Sequence, residues 1–536
     1  RINVAKIKRI EILNGASSAL YGTNAIGGVI NIITDDAKNA INVSSDTRYA
    51  SKGRFTQSVN IDVNTGKFGS YTSYRRQQAE GWQLNPYEEN SKTHELEETG
   101  KVASTGFYAN TVNQKFTFDA TDKLSFYARG GYYDNKTRRP YEAYDYNILH
   151  ETFNYGIGAQ YMINKGNYIT ADCYADHFSS SYCFFKDNKT YNGKAGEEQV
   201  RKRTRNHNLS IKGIFKLGNR HKLSVGTEYI VDVLKSQTDN IAKEDAYTLA
   251  LFAQDEIKLL RNLQALIGVR YIYHENFKNH ATPNVALMYK PGKFNFRASY
   301  AAGFRTPTLS ELYATDIAKK NDRLTIGNLD LKSEKNNYFS LSAEYVHERF
   351  SVSVNAFYNN IRDMIDYNTI ATGDKAMEQY GHKEVRQRDN IAEAKVHGIN
   401  VSANAYLGAG FNLSGGYTHL NTQDVELEQP IDKSIKNAYN INAQWAHSWK
   451  IYRLNINLNG RINSKRFSKS YGYAPEYQLW NLNTRHSFNL KSVIIEPGCG
   501  MENLFDYMDD RPYNSNYATL TPGRSFYISL SLKFKS

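Results

Sequence analysis

The feature that most constrains the fold is a period-two alternation of apolar and polar residues, which recurs from about residue 40 to the C-terminus. In RLNINLNGRI, residues 453–462, leucine and isoleucine alternate with asparagine. The segments FSVSVNAFYN at 350–359 and SFYISLSLKF at 525–534 show the same alternation. Successive side chains of a strand point to opposite faces, so the pattern predicts strands with one apolar face. A soluble sandwich and a membrane barrel both have such strands.

The connections between these strands distinguish the two folds, because short and long connections alternate in a regular order. The short ones lie at residues 65–68, 120–123, 164–167, 217–220, 259–262, 291–293, 347–349, 408–410 and 448–450. The long, polar ones lie at about residues 80–112, 135–152, 187–198, 236–245, 302–336, 361–391, 422–436, 464–477 and 502–523. Outer-membrane barrels combine tight periplasmic turns with long outer loops, and this order predicts about 22 strands with both barrel ends in the periplasm.

Composition agrees with a polar, sheet-rich chain. Aromatic residues make up 13% of the sequence and include 41 tyrosines. No segment reaches the roughly 20 consecutive apolar residues that a spanning helix needs, so a helical membrane protein is excluded. Three cysteines are too few for a disulfide scaffold and lack metal-ligand spacing. The net charge of +13 is scattered, which disfavours nucleic acid and suits anionic ligands or lipopolysaccharide.

The N-terminal segment, residues 7–34, reads IKRIEILNGASSALYGTNAIGGVINIIT and resembles the end of the plug domain of TonB-dependent receptors. Its glycines provide backbone freedom for tight turns, and the final GVINIIT predicts a buried strand. Two further segments, GFRTPTLSELY at 303–313 and GNLDLKSEKNNYFSLSAEY at 327–345, resemble a pair of boxes that flank an outer loop in that family. Thr306 stands where the first box usually has alanine, and Leu329 where the second usually has proline.

The closing segment, residues 502–534, resembles the family's last strands, so the resemblance covers the whole chain. It implies an all-β fold: a 22-stranded antiparallel transmembrane barrel over residues 39–536, with the C-terminal part of a plug domain over residues 1–38. It also implies a Gram-negative outer-membrane location and active import driven by the TonB complex. In the family's order, the TonB-binding box lies upstream of Arg1.

The resemblance implies import of an iron chelate, either a ferric siderophore or haem, with cobalamin as an alternative. Haem receptors commonly keep a histidine between the two boxes, and none lies between Phe304 and Leu331 here. Cationic and aromatic groups suit a ferric siderophore, whereas histidine or tyrosinate would ligate haem iron. The candidate ligand residues, all expected in outer loops, are His94, Arg138, Arg139, Tyr141, His150, Arg305, Tyr380, His382, Arg386 and Arg388.

Each candidate has an ordinary alternative. Most loop histidines contact only solvent, and cationic loops can equally bind lipopolysaccharide phosphates. The acidic run HELEETG at 94–100 lacks the regular spacing of a calcium loop, so a solvated surface loop is the better interpretation. We expect no bound cofactor and no metal site. A surface lipoprotein is a further candidate partner.

Two other functions compete with active import. A barrel enzyme would need a catalytic constellation on the rim, and no serine–histidine or aspartate–histidine grouping stands out by its spacing. We therefore expect no enzymatic activity. A passive porin or adhesin would leave the plug-like residues 1–38 without a use.

Overall fold

The computed structural model describes residues 7–14, 28–34, 40–90, 93–100, 102–141, 143–318, 322–469, 472–509 and 521–535. None of the helices in these ranges has the length and apolar character needed to cross a membrane. There are two, α1 (Leu309–Tyr313) and α2 (Gly373–Tyr380).

The strands are β1 (Ile7–Asn14), β2 (Gly28–Thr34), β3 (Ile41–Ala50), β4 (Arg54–Asn64), β5 (Phe68–Ala79), β6 (Tyr87–Glu89), β7 (Leu96–Glu98), β8 (Gly106–Asp119), β9 (Leu124–Arg138), β10 (Tyr146–Asn164), β11 (Asn167–Phe184), β12 (Glu198–Leu217), β13 (His221–Ser236), β14 (Ile241–Leu260), β15 (Leu263–His274), β16 (Lys278–Tyr289), β17 (Phe294–Arg305), β18 (Thr315–Ala318), β19 (Arg323–Ile326), β20 (Glu334–Val346), β21 (Phe350–Thr372), β22 (Glu384–Gly408), β23 (Phe411–Asp424), β24 (Asn437–Trp449), β25 (Tyr452–Asn463), β26 (Arg466–Ser468), β27 (Gly472–Ala474), β28 (Tyr477–Leu490), β29 (Val493–Glu502) and β30 (Ser525–Lys535).

Strands β3–β5, β8–β17, β20–β25 and β28–β30 form one closed antiparallel barrel of 22 strands, which confirms the predicted fold class. Each barrel strand pairs with the next along the sheet, and the last strand, β30, pairs with the first, β3. The pairing runs from Asn42 opposite Lys535 to Ala50 opposite Tyr527. Closure leaves no sheet edge with unpaired backbone groups, which is what a strand-built membrane protein requires.

Short turns gather at the barrel end where β3 begins and β30 ends. All nine predicted short connections are turns at this end, and a tenth turn at residues 491–492 joins β28 and β29. Gly410, in the turn between β22 and β23, has φ +87° and approaches the next strand closely. A Cβ at Gly410 would lie 2.1 Å from the backbone oxygen of Ala446, so only glycine fits this turn.

Connections at the other end differ from the prediction in two ways. Residues 236–245 were expected to be a long loop, but β13 and β14 meet across the four residues 237–240. Elsewhere the strands extend into the expected loops, so that His150 lies within β10, and Arg386 and Arg388 within β22. Arg138 is the last residue of β9 and Arg305 is the last residue of β17. Placing these five residues in loops was wrong. Antiparallel backbone pairing does not depend on an apolar face, so it continues beyond the segments in which apolar and polar residues alternate.

The plug-like segment contributes β1 and β2, which form a separate two-stranded sheet paired from Ile7 opposite Thr34 to Asn14 opposite Gly28. The glycine-rich stretch between them, residues 15–27, lies outside the described residues. The division at residue 38 stays a prediction. Cys173 and Cys183 both lie on β11 and are free thiols.

Candidate functional site: the outer mouth of the barrel

The loop between β17 and β20, residues 306–333, begins with a capped helix. α1 follows Thr308, whose Oγ1 accepts a hydrogen bond from the backbone N–H of Glu311 at 3.2 Å. The Glu311 carboxylate in turn accepts from the backbone N–H of Thr308 at 2.7 Å. This capping box satisfies donors of the first helical turn and fixes Glu311 beside the end of β17.

Arg305, the last residue of β17, joins the two sequence boxes. Its Nη1 donates to Glu311 at 2.9 Å and its Nε donates to Glu334 at 2.8 Å. Burial raises the pKa of Glu311, but the hydrogen bonds from Arg305 and Thr308 outweigh burial and hold that pKa below its usual value. The sequence predicts Arg305 as a cargo ligand; here its guanidinium fixes the loop, and cargo contact stays a prediction.

The second box packs on α1 because Gly327 has no side chain. A Cβ at Gly327 would lie 2.4 Å from the backbone oxygen of Leu312. The Gly327 N–H donates to the backbone oxygen of Ala314 at 2.7 Å, which ties the end of the loop to its beginning. Below this contact Leu312, Leu331 and Ile365 form a buried cluster. The loop is therefore a packed element at the barrel mouth.

The middle of the loop pairs with a different hairpin. β18 pairs with β19, and β19 runs parallel to the start of β22, from Arg323 opposite Glu384 to Ile326 opposite Gln387. The adjoining side chains form a hydrophobic cluster centred on Val385, which is 0% exposed. Tyr380, a predicted cargo ligand, packs against this cluster.

A cavity of about 180 Å³ lies between these two hairpins, α1 and the turn between β13 and β14. Three guanidinium groups line it, from Arg323 on β19 and from Arg386 and Arg388 on β22. Its other lining residues are Asp239, Ser310, Ala314, Asp316, Thr325, Ile326, Gly327 and Tyr367. We call this the arginine cavity.

The cationic groups of the arginine cavity differ in how they are held. The Arg388 guanidinium lies 3.6 Å above the Tyr367 ring and donates to its hydroxyl at 2.6 Å. Arg386 Nε donates to Glu384. Arg323 Nε is buried and has no hydrogen-bond partner among the described residues. Of the two aspartates, Asp239 is bound by Lys202 at 3.1 Å. The cavity thus has an unsatisfied cationic donor.

Two other predicted residues lie in a second cluster, at the tip of the β9–β10 hairpin. The Arg139 guanidinium lies 4.0 Å above the Tyr144 ring. The ring of Tyr141 stacks on Phe185 at 5.3 Å and is 59% exposed. Alongside, Tyr146, Tyr182 and Tyr191 contact one another and Arg201 lies over the last two. We call this group the tyrosine cluster.

The remaining predicted residues are scattered. His94 lies between β6 and β7 and contacts Glu89 at 2.7 Å, and its side chain is 77% exposed. Arg138 ends β9 and is exposed. His150 packs edge-on against Phe178. His382 contacts Asp322 at 2.8 Å and thereby braces the turn before β19. The structure brings Arg386 and Arg388 into one cavity but does not bring the histidines together.

Sequence reasoning missed Arg323, Tyr367 and Arg201. The sequence does contain a signal for part of the arginine cavity. Arg386 and Arg388 are two residues apart and can therefore share one face of a strand. The partner Arg323 carries no such signal, because it reaches the cavity only through parallel pairing with a strand far along the chain. No group of three or more histidine, cysteine, aspartate or glutamate side chains that could hold a metal ion occurs within the described ranges.

Comparison with known proteins gives two family matches. Residues 39–496 match the family described as TonB dependent receptor-like, beta-barrel, and residues 1–29 match the TonB-dependent Receptor Plug Domain.

Solved structures share the fold at low sequence identity. A mutant of the ferric enterobactin receptor PfeA of Pseudomonas aeruginosa is 17% identical with a TM-score of 0.84, over 99% of this chain and 86% of that one. The siderophore receptor PirA of Acinetobacter baumannii is 16% identical with a TM-score of 0.78, over 99% and 85%. The FrpB iron transporter of Neisseria meningitidis is 14% identical with a TM-score of 0.76, over 99% and 88%.

Proposed function

Because this chain belongs to the TonB-dependent receptor family, we propose that it imports a negatively charged ferric chelate, which it first binds at the arginine cavity. The receptor lies in the outer membrane of a Gram-negative bacterium, and the TonB complex supplies the work of import. Residues 1–38 act as the end of the plug that closes the barrel. The family consists of transport receptors, and we assign no catalytic step to the chain.

The observation that carries the choice of cargo is the convergence of three arginines on one cavity. Guanidinium groups donate paired, charge-assisted hydrogen bonds to carboxylate or catecholate oxygens, and they also stack on aromatic rings. A volume of about 180 Å³ is smaller than the roughly 300 Å³ of a typical small-molecule site. The cavity would therefore hold one anionic arm of a chelate while the rest lies in the barrel mouth.

The tyrosine cluster supports the same cargo class. Stacked phenol rings with Arg139 and Arg201 above them suit a planar aromatic anion through stacking and hydrogen bonding. The shared fold with a ferric enterobactin receptor, a siderophore receptor and an iron transporter agrees with an iron chelate. Neutral or cationic hydroxamate chelates and cobalamin would offer no negative charge to the unsatisfied Arg323 donor, whereas Arg386 already pairs with Glu384.

The test is a titration of the full-length receptor with four probes, namely a ferric tris-catecholate, a cationic ferric hydroxamate, haemin and cyanocobalamin. We expect the tris-catecholate to bind most tightly. Losing a hydrogen bond to a charged group costs about 1.5–3 kcal/mol, so Arg388→Gln or Arg323→Gln should raise Kd about 10- to 100-fold. Arg349→Gln, in the periplasmic turn before β21, is the matched control and should leave Kd unchanged.

Transport in cells completes the test. Uptake of the labelled tris-catecholate should require both the receptor and TonB. Tighter binding of haemin or cobalamin than of the catecholate would reject the proposed cargo and keep the transporter. Uptake that continues at full rate without TonB would reject active import itself.

A further inference from the structure

The outward face of strands β12–β14 carries a belt of apolar side chains. Leu209, Ile211, Leu249 and Leu251 are between 41% and 52% exposed, as expected for side chains that face lipid. Leu209 pairs with Tyr229, which itself pairs with Leu249, so these residues point to the same side of the sheet. They define the lipid-facing side of this part of the wall.

A ladder of tyrosines ends the belt on the side of the outer loops. The rings of Tyr229, Tyr247 and Tyr273, on three neighbouring strands, follow each other at centroid distances of 6.0 and 6.1 Å. Membrane barrels carry girdles of aromatic residues at both interfaces with water. The ladder therefore marks the outer boundary between hydrocarbon and headgroups.

Three exposed cations stand just beyond this boundary on the same face. Arg205 pairs with Val233, and Arg203 pairs directly with Lys235, in a register without interruption from Leu209 upward. They lie two and four residues beyond the level of Tyr247, or about 7 and 13 Å along the strands. With a tilt of roughly 40°, they stand about 5 and 10 Å above the ladder, within the headgroup layer. We call Arg203, Arg205 and Lys235 the basic patch.

The basic patch lacks a counter-charge from the protein. None of its three side chains forms an ion pair with the residues that the structure describes. Neighbouring outward carboxylates are engaged elsewhere, since Glu151 accepts from Tyr132 at 2.7 Å and Asp245 is bound by Lys243 at 3.4 Å. Like charges directly opposite each other on paired strands destabilise the sheet. An external anion would relieve this repulsion.

A cavity of about 430 Å³ adjoins the patch. Arg203 and Lys235 line it together with Arg201 and Lys202, against a single carboxylate from Glu197. Tyr191 and Arg201 of the tyrosine cluster also line this cavity. Arg203 and Lys235 lie on the same side of the sheet as the apolar belt, so these two side chains face the membrane side of the wall.

We infer that the basic patch binds the phosphate groups of a phosphorylated glycolipid in the outer leaflet of the membrane. The acyl chains of this lipid would lie on the apolar belt, and its phosphates would stand at the level of Arg205 and Arg203. Each basic residue near an anionic membrane surface contributes about 1 kcal/mol, so three together strengthen lipid binding about a hundredfold.

The experiment measures retention of lipid A on the full-length receptor by native mass spectrometry from detergent micelles. The variant replaces the patch by glutamine, R203Q/R205Q/K235Q, and should lose about a hundredfold in affinity for bis-phosphorylated lipid A. Dephosphorylated lipid A should bind the unaltered receptor as weakly as it binds the variant. R203K/R205K keeps the charge and should keep most of the affinity. Heat-modifiable electrophoretic mobility verifies that each barrel is folded.

A matched control removes three cations elsewhere. K123Q/K165Q/R261Q removes three positive charges from the periplasmic turns, as many as the patch variant removes. This control should bind lipid A like the unaltered receptor. Equal retention of lipid A by the patch variant and the unaltered receptor would overturn the assignment. The assignment would also fail if the unaltered receptor bound dephosphorylated lipid A as tightly as bis-phosphorylated lipid A. Displacement of lipid A by millimolar inorganic phosphate would assign the patch to a free anion and reject the lipid.

Discussion

Replacing Arg305 by methionine should loosen the loop 306–333 while the barrel stays folded. The change leaves Glu311 and Glu334, whose side chains are only 14% and 11% exposed, without their cation. Removing one partner from a buried ion pair costs about 3–5 kcal/mol. Because the Arg305 side chain is itself 23% exposed, the low end applies, and the loop should open about 3 kcal/mol more easily.

Hydrogen exchange followed by mass spectrometry reports this opening directly. The backbone N–H groups of Leu312, Ala314 and Gly327 are hydrogen-bonded within the loop and exchange only when it opens. A loss of about 3 kcal/mol should speed their exchange about a hundredfold. Exchange in the ladder between β25 and β28, on another part of the wall, should not change.

The matched control lies on the same strand. Arg297 approaches Glu344 at 3.7 Å and is 50% exposed, and such exposed pairs contribute about 0–1 kcal/mol. Arg297→Met should therefore alter exchange by less than about fivefold. Adding Glu334→Gln to Arg305→Met should recover part of the loss, because the uncompensated charge is removed. Slow loop exchange in Arg305→Met, equal to that of the unaltered receptor, would show that the ion pairs do not hold the loop.

Three further predictions follow from local geometry. Glu311 has a lowered pKa, so its stabilisation of the loop is present above the ordinary value of 4.5 and lost as the pH falls through the lowered value. Hydrogen exchange in the loop, corrected for its intrinsic pH dependence, should accelerate as the pH falls through this lowered pKa. Glu311→Gln should abolish this acceleration. Gly327→Ala should destabilise the loop by about 1–3 kcal/mol in the same assay, whereas Gly415→Ala, with 3.6 Å of clearance, should be nearly neutral. Gly410→Ala should lower the folded, heat-modifiable fraction more than Gly408→Ala, because both have positive φ but only the first would meet backbone.

The barrel wall could be predicted closely where one face meets lipid. The alternating segment at 453–462 became β25, Tyr452–Asn463, and the segment at 525–534 became β30, Ser525–Lys535. Lipid on one side and polar groups on the other impose the period-two pattern at this level. Above the membrane both faces of a strand are exposed to water. The outer parts of β21 and β22 therefore lack the alternation of apolar and polar residues from which a strand could be predicted.

The candidate site could be predicted only in part. Arg386 and Arg388 stand out as cations two residues apart. Their neighbour Arg323 enters through the parallel pairing of β19 with β22, and no local pattern encodes a contact between distant hairpins. Arg305 shows the opposite case. Its position in a recognisable sequence box predicts a cargo ligand, but in the structure its guanidinium binds Glu311 and Glu334.

The parallel pairing of β19 with β22 also constrains how such a receptor can be re-engineered. Shifting that pairing by one residue would move Arg323 about 3.3 Å and turn its side chain to the opposite face. Insertions in either hairpin would therefore disturb the arginine cavity unless the other hairpin changed to match. Moving the arginine cavity intact to another barrel requires transferring the two hairpins as one unit.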